Sequence, residues 1–195
     1  STVSSVRLPA VAGQFYPAAP EQLRAILQQC FYGVPATDSE ARCPRALIVP
    51  HAGYVYSGSL AAAAFALWRT HRGHIWRVVL LGPSHRVPFR GIALTSAHTY
   101  RTPLGDIPLD TQSVGPLQAL PGVQVLDMAH VPEHSLEVQL PFLQTVLDEF
   151  TLLPMVVGDA TPEQAAAVLE PFLSVEGTVF VISSDLSHYL VDPQA

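Results

Sequence analysis

Charge is what this chain is shortest of. Only 13% of its 195 residues are Asp, Glu, Lys or Arg, against roughly 25% in average usage. Basic residues are the scarcer kind, 10 against 16 acidic ones, for a net charge of -6. A surface of that sign repels phosphate backbones and anionic lipid, which argues against nucleic acid and membrane as the main partners. Cysteine is scarce too. Cys30 and Cys43 are the only two, too few for a disulfide framework, and neither stands at a zinc-ligand spacing from a histidine. That usage fits a reducing cytoplasm. Long apolar runs are missing: "LAAAAFALW" falls far short of the ~18 residues that would suggest a membrane span. The opening "STVSSVRLPAVAG" has no basic stretch leading into an apolar segment. There is no internal repeat or low-complexity linker, Ser57-Gly58-Ser59 lacks the Lys and Gly spacing of a phosphate loop, and no G-x-S-x-G nucleophile turn occurs.

What is present is apolar. Hydrophobic residues make up 49% of the chain, enough for a real core, and the length suits one domain. The 18 prolines are spread along it, as short rigid loops between regular elements would require. Residues 45–50 (RALIVP), 77–82 (RVVLLG), 91–96 (GIALTS), 151–158 (TLLPMVVG) and 178–184 (TVFVISS) read as strands. They lack polar alternation, the mark of strands covered on both faces. Helical patterns lie between them: "APEQLRAILQQCF", residues 57–70, residues 132–150 and residues 161–173. Thr161-Pro162-Glu163-Gln164 is a helix start in its own right, with a Thr cap and Pro in the first turn. Alternating strands and helices predict an α/β fold, a three-layer sandwich with a mainly parallel or mixed sheet and helices on both faces.

In such sheets ligands bind beyond the carboxyl ends of the strands. Three of the strands deliver ionisable groups there: His51 after the first, His85 in "GPSHR" after the second, and Asp185 with His188 after the last. A single histidine in such a place reads most simply as a loop residue. Three independent strand ends point to a metal site or an acid/base site, because imidazole both ligates transition metals and titrates near neutrality. Gly53, Gly58, Gly82 and Gly158 sit in or near the same turns, most simply as turn glycines. In "PEHSLEVQLPF", Glu133 reads as a first-turn acid complementing the helix dipole. His134 and Glu137 stand at i and i+3, on one helix face, and on a helix rich in leucine such a pair is expected to face a pocket.

The segments "LPAVAGQFYP", "IVPHAGYVYSG", "LLGPSHR", "YRTPLGDIPLD", "EHSLEVQLPFLQ", "VVGD" and "ISSDLSHY" occur in this order over nearly the whole chain. Together they resemble the Memo family, whose prokaryotic members are called AmmeMemoRadiSam system protein B. The resemblance implies a fold similar to class III extradiol dioxygenases and a metal-dependent redox protein, dioxygenase-like, with iron (Fe2+) as the first expectation and copper as the second. It implies His51 and His85 as metal ligands, Asp185 and His188 as pocket residues with His188 as the acid/base, and His134 and Glu137 lining the same pocket. In the family a Cys beyond the "SSDLSHY" segment supplies the third ligand, so the chain, one Memo-like domain over 1–195, is expected to lack that C-terminal part. The expected partners are an unidentified small molecule or peptide and, in a shared pathway, radical-SAM and AMMECR-type proteins. The competing expectation is a non-catalytic peptide- or protein-binding module that uses the same pocket.

Overall fold

The computed structural model describes residues 5–36, 38 and 40–186. Along the chain run β1 (Val6–Arg7), α1 (Pro20–Phe31), β2 (Ala46–Val49), α2 (Tyr54–Phe65), β3 (Arg77–Pro83), β4 (Ile92–Leu94), β5 (Thr99–Thr102) and β6 (Gly105–Pro108). Then come α3 (Val114–Gln118), β7 (Val123–Val125), α4 (Asp127–His130), α5 (His134–Glu137), α6 (Leu140–Val146), β8 (Thr151–Val157), α7 (Pro162–Leu169) and β9 (Thr178–Ser183).

The main sheet has six strands in the order β2-β9-β3-β8-β4-β7. Its first four are mutually parallel, β4 is antiparallel to β8, and β7 is parallel to β4. The sheet is therefore mixed, with a parallel half that carries the site. The strand β3 shows why its run is apolar throughout. Val78 and Leu80 point into a core formed with α1, α2 and α6, whereas Val79 and Leu81 point into a second core with α3 and α7. Alternate side chains thus serve opposite faces, and both faces are covered, which is the three-layer α/β sandwich. A smaller sheet, β1-β5-β6, pairs β1 parallel to β5 and β5 antiparallel to β6. These strands are short and mostly part-exposed, so no apolar run announces them.

Two helices depart from the periodicity. The pattern over 132–150 splits into α5 and α6 because Pro141 has no N–H to continue the ladder. The pattern over 57–70 starts earlier, at Tyr54, and gives way after Phe65 to a 3-10 stretch, Ala66–His74. The α7 start forms as its sequence requires: the Thr161 hydroxyl accepts from the Gln164 N–H, and the Gln164 side chain accepts from the Thr161 N–H. Among the described residues no helix is long and apolar enough to cross a membrane.

Candidate metal centre

β2, β9 and β3 lie side by side and run the same way, so their carboxyl ends share one edge of the sheet. Each sends a functional side chain from the second residue past its end: His51 after Val49, His85 after Pro83, and Asp185 after Ser183. The fourth member comes from above. α5 packs against β3 where Gly82 has no side chain, since a Cβ there would collide with Ser135 and crowd Leu136. The Ser135 hydroxyl then donates to the Pro83 carbonyl at 2.9 Å. This close seating brings His134, the first residue of α5, over the strand ends.

The three imidazoles of His51, His85 and His134 each present one nitrogen within 4.8 Å of the others. Ring centroids are 4.9 Å apart for His51 and His85, 5.7 Å for His51 and His134, and 4.6 Å for His85 and His134. Phe15 closes one side, its ring 4.5 Å from that of His134.

A second layer holds two of the rings. Ser183, buried at the end of β9, places its hydroxyl 2.5 Å from His51 Nδ1. Glu133, only 1% exposed, lies 2.9 Å from His85 Nδ1 through Oε2 and accepts the His85 main-chain N–H on Oε1. Its Oε2 also accepts the Ser135 N–H at 2.9 Å and lies 3.7 Å from His134 Nδ1. With Nδ1 of His51 and His85 engaged, their Nε2 atoms are the nitrogens free to bind elsewhere. His51 Nε2 lies 3.4 Å from Asp185 Oδ2, a carboxylate at the exposed rim. The same rim opens onto a groove of about 350 Å³ lined by Ser84, Val87, Phe89 and Asp185.

Burial lowers the His51 pKa, with Asp185 pulling it up and the His85 ring pushing it down further. Burial likewise lowers that of His134, against the opposing pull of Glu133. Both rings are therefore neutral near pH 7, the form that donates a lone pair to a metal. Burial pushes the Glu133 carboxyl up, but the hydrogen bonds from His85 and Ser135 outweigh it and hold the group below its ordinary value. The donor set fits a transition-metal ion: three imidazoles converge, with hydrogen-bond partners behind two of them.

His51, His85, His134 and Asp185 are thus brought together. Glu137 is not with them. It was expected to line the same pocket as His134, but its carboxylate is fully buried and receives Arg7 Nη1, the Ala10 and Val11 N–H groups at 2.7 and 3.0 Å, and the Tyr16 hydroxyl at 2.6 Å. Four donors converging in the interior hold it away from the imidazoles. His188 lies outside the described residues. Cys30 and Cys43 are free thiols that take no part in the cluster. From the sequence, Glu133 is expected only as a helix-start acid. It does cap α5 by accepting the Ser135 N–H, and it also binds His85. Its adjacency to His134 was the one signal in the sequence that could have drawn attention to it.

The sequence pattern of the Memo family, described as "Memo-like protein", matches residues 7–193. The chain is 39% identical to a "MEMO1 family protein" of Archaeoglobus fulgidus, over 97% of this chain and 70% of that protein. It is 37% identical to "MEMO1 family protein MK0963" of Methanopyrus kandleri, over 97% of this chain and 71% of that one. A further "MEMO1 family protein", from Aquifex aeolicus, is 38% identical over 97% of this chain and 70% of its own length. Matched over nearly all its length by the family pattern and by relatives at this identity, the chain belongs to the Memo family.

Proposed function

We propose that this chain is a metal-dependent redox protein, with a non-haem iron ion, or copper in its place, held by His51, His85 and His134. The observation that carries the reading is the convergence of these three imidazoles at the carboxyl edge of the parallel strands. When bound, such an ion supplies one-electron chemistry and leaves coordination positions open to oxygen or a small substrate. The protein's own part is to fix the rings. Ser183 orients His51, Glu133 orients His85, and Phe15 walls off His134 from one side. Asp185, at the mouth beside His51 Nε2, is placed to accept a proton from an incoming hydroxyl or water. The groove beside it admits a ligand of modest size. In this reading His134 supplies the third protein donor, where the family resemblance pointed to a cysteine. His188 remains the residue proposed to move a proton during turnover.

A second reading, a peptide- or protein-binding module without turnover, draws support from the exposed apolar side chains Val55, Tyr56 and Leu60 on α2, the helix that follows His51. Metal separates the two. Protein purified without oxygen should carry iron or copper, or take up one Fe(II) per chain on titration. His51→Ala, His85→Ala and His134→Ala should each cut that occupancy sharply, because two remaining protein donors lose both affinity and geometry. Unchanged stoichiometry in all three variants, or no uptake by the wild type, rejects the metal reading.

A further inference from the structure

We infer that Glu133 is the positioning residue of this centre: it acts as an obligate carboxylate that holds His85 as the Nδ1–H tautomer, leaving the Nε2 lone pair free for a ligand. Oε1 accepts the main-chain N–H of His85, and Oε2 accepts the main-chain N–H of Ser135. A main-chain N–H can only donate, so both oxygens are committed as acceptors. An amide at this position would turn its NH2 against one of those two donors. A neutral carboxylic acid would have to accept one of them on its hydroxyl oxygen, a weaker acceptor than a carboxylate oxygen. The ionised carboxylate accepts both on full-strength acceptor oxygens, and it has acceptor capacity left on Oε2, which lies 2.9 Å from His85 Nδ1. An acceptor-only partner at that distance makes Nδ1 the donor, and a neutral ring then has its lone pair on Nε2.

The same carboxylate reaches the site twice. Its Oε2 lies 3.7 Å from His134 Nδ1, so one buried negative charge sits behind two of the three imidazoles. Because Glu133 is also the cap of α5, the seating of that helix and the orientation of His85 depend on one side chain. Arg7 reinforces the arrangement from beneath, donating to the Glu133 carbonyl at 2.7 Å. The electrostatic consequence is a site whose charge from this layer is negative before any cation arrives, which favours a divalent ion over a neutral ligand.

The inference deepens the metal reading and rests on it only for the effect on metal affinity. The tautomer is independent of metal. Nitrogen-15 NMR of metal-free protein, with the His85 signals assigned by their loss in His85→Gln, should show that the neutral form of the ring carries its proton on Nδ1 and leaves Nε2 bare. Glu133→Gln should abolish that preference and weaken binding of Co(II), a spectroscopic stand-in for Fe(II), by about tenfold to a hundredfold, the range for loss of such a partner. Glu133→Asp keeps the charge and should keep the tautomer, with affinity between wild type and Gln. Equal losses in Gln and Asp would mean the residue only supports the fold, and would overturn the inference. So would a wild-type His85 protonated on Nε2, a measurement that needs no variant of Glu133 to fold. A wild type that shows the Nδ1–H tautomer but takes up neither Co(II) nor Fe(II) refutes the metal reading and leaves the role of Glu133 established.

Discussion

Replacing Glu137 with glutamine distinguishes an anchor of the fold from a group in the pocket, because the side chain keeps its shape and loses its charge. In the wild type the carboxylate is fully buried and meets four donors: the Arg7 guanidinium, two main-chain N–H groups and the Tyr16 hydroxyl. The Arg7 side chain is only 3% exposed, and its other acceptors are the carbonyls of His130 and Glu133 at 3.0 and 2.7 Å. Glutamine offers one acceptor oxygen where two are used, and its NH2 must face a donor. It also leaves the Arg7 cation buried without a counter-charge. Breaking a buried pair from one side costs about 3 to 5 kcal/mol. For a chain of this size that corresponds to a melting temperature lower by about 10 °C. Urea and thermal unfolding of the variant, with Arg7→Met alone and combined with it, give the coupling directly. The double variant should recover part of the loss, since no uncompensated charge remains. Co(II) affinity should fall far less than in His134→Ala. If Glu137→Gln melts like the wild type but loses metal uptake or turnover, then Glu137 belongs to the pocket and the structural account of it is wrong.

Acid should destabilise the protein through His130. This ring is 1% exposed, takes the Tyr100 hydroxyl at Nδ1 and lies 2.9 Å from the Ala93 carbonyl through Nε2, and burial pushes its pKa down to about 4 from 6.5. Between those values the unfolded chain binds more protons than the folded one, so stability is fully present above about pH 6.5 and is lost as pH falls toward 4, by about 3 kcal/mol for this one group. Urea unfolding across that range should show the slope, and His130→Gln should flatten it; an unchanged slope in the variant removes His130 as its source. His188→Gln should keep most of the bound metal while losing turnover with whatever oxidant or substrate the wild type consumes, because a proton carrier is separable from the ligands. Metal loss as complete as in His51→Ala would instead make His188 a ligand.

Local chemistry made much of the fold legible. Apolar runs without alternation become the buried strands β3, β8 and β9, and the Thr161 cap starts α7. Parallel strands imply a shared carboxyl edge, and so the sequence alone places His51, His85 and Asp185 together. Pairings across the chain were not legible. Arg7 meets Glu137 at a separation of 130 residues, and Glu133 meets His85 at 48. Nothing in helical spacing says which carboxylate of "PEHSLE" turns toward the imidazoles. The i, i+3 pattern favoured Glu137, yet it was Glu133 that reached His85, because the helical pattern breaks after Glu137 and Gly82 lets the short α5 settle onto β3 at one depth and rotation. The sequence by itself determined which residues are apolar, where regular elements stop, and which side chains emerge at strand ends, since these depend on neighbours along the chain. Only tertiary packing decided that Glu133 would stand behind His85 and Glu137 would be consumed by Arg7, because a buried charge goes where its donors converge, and those donors come from distant parts of the chain.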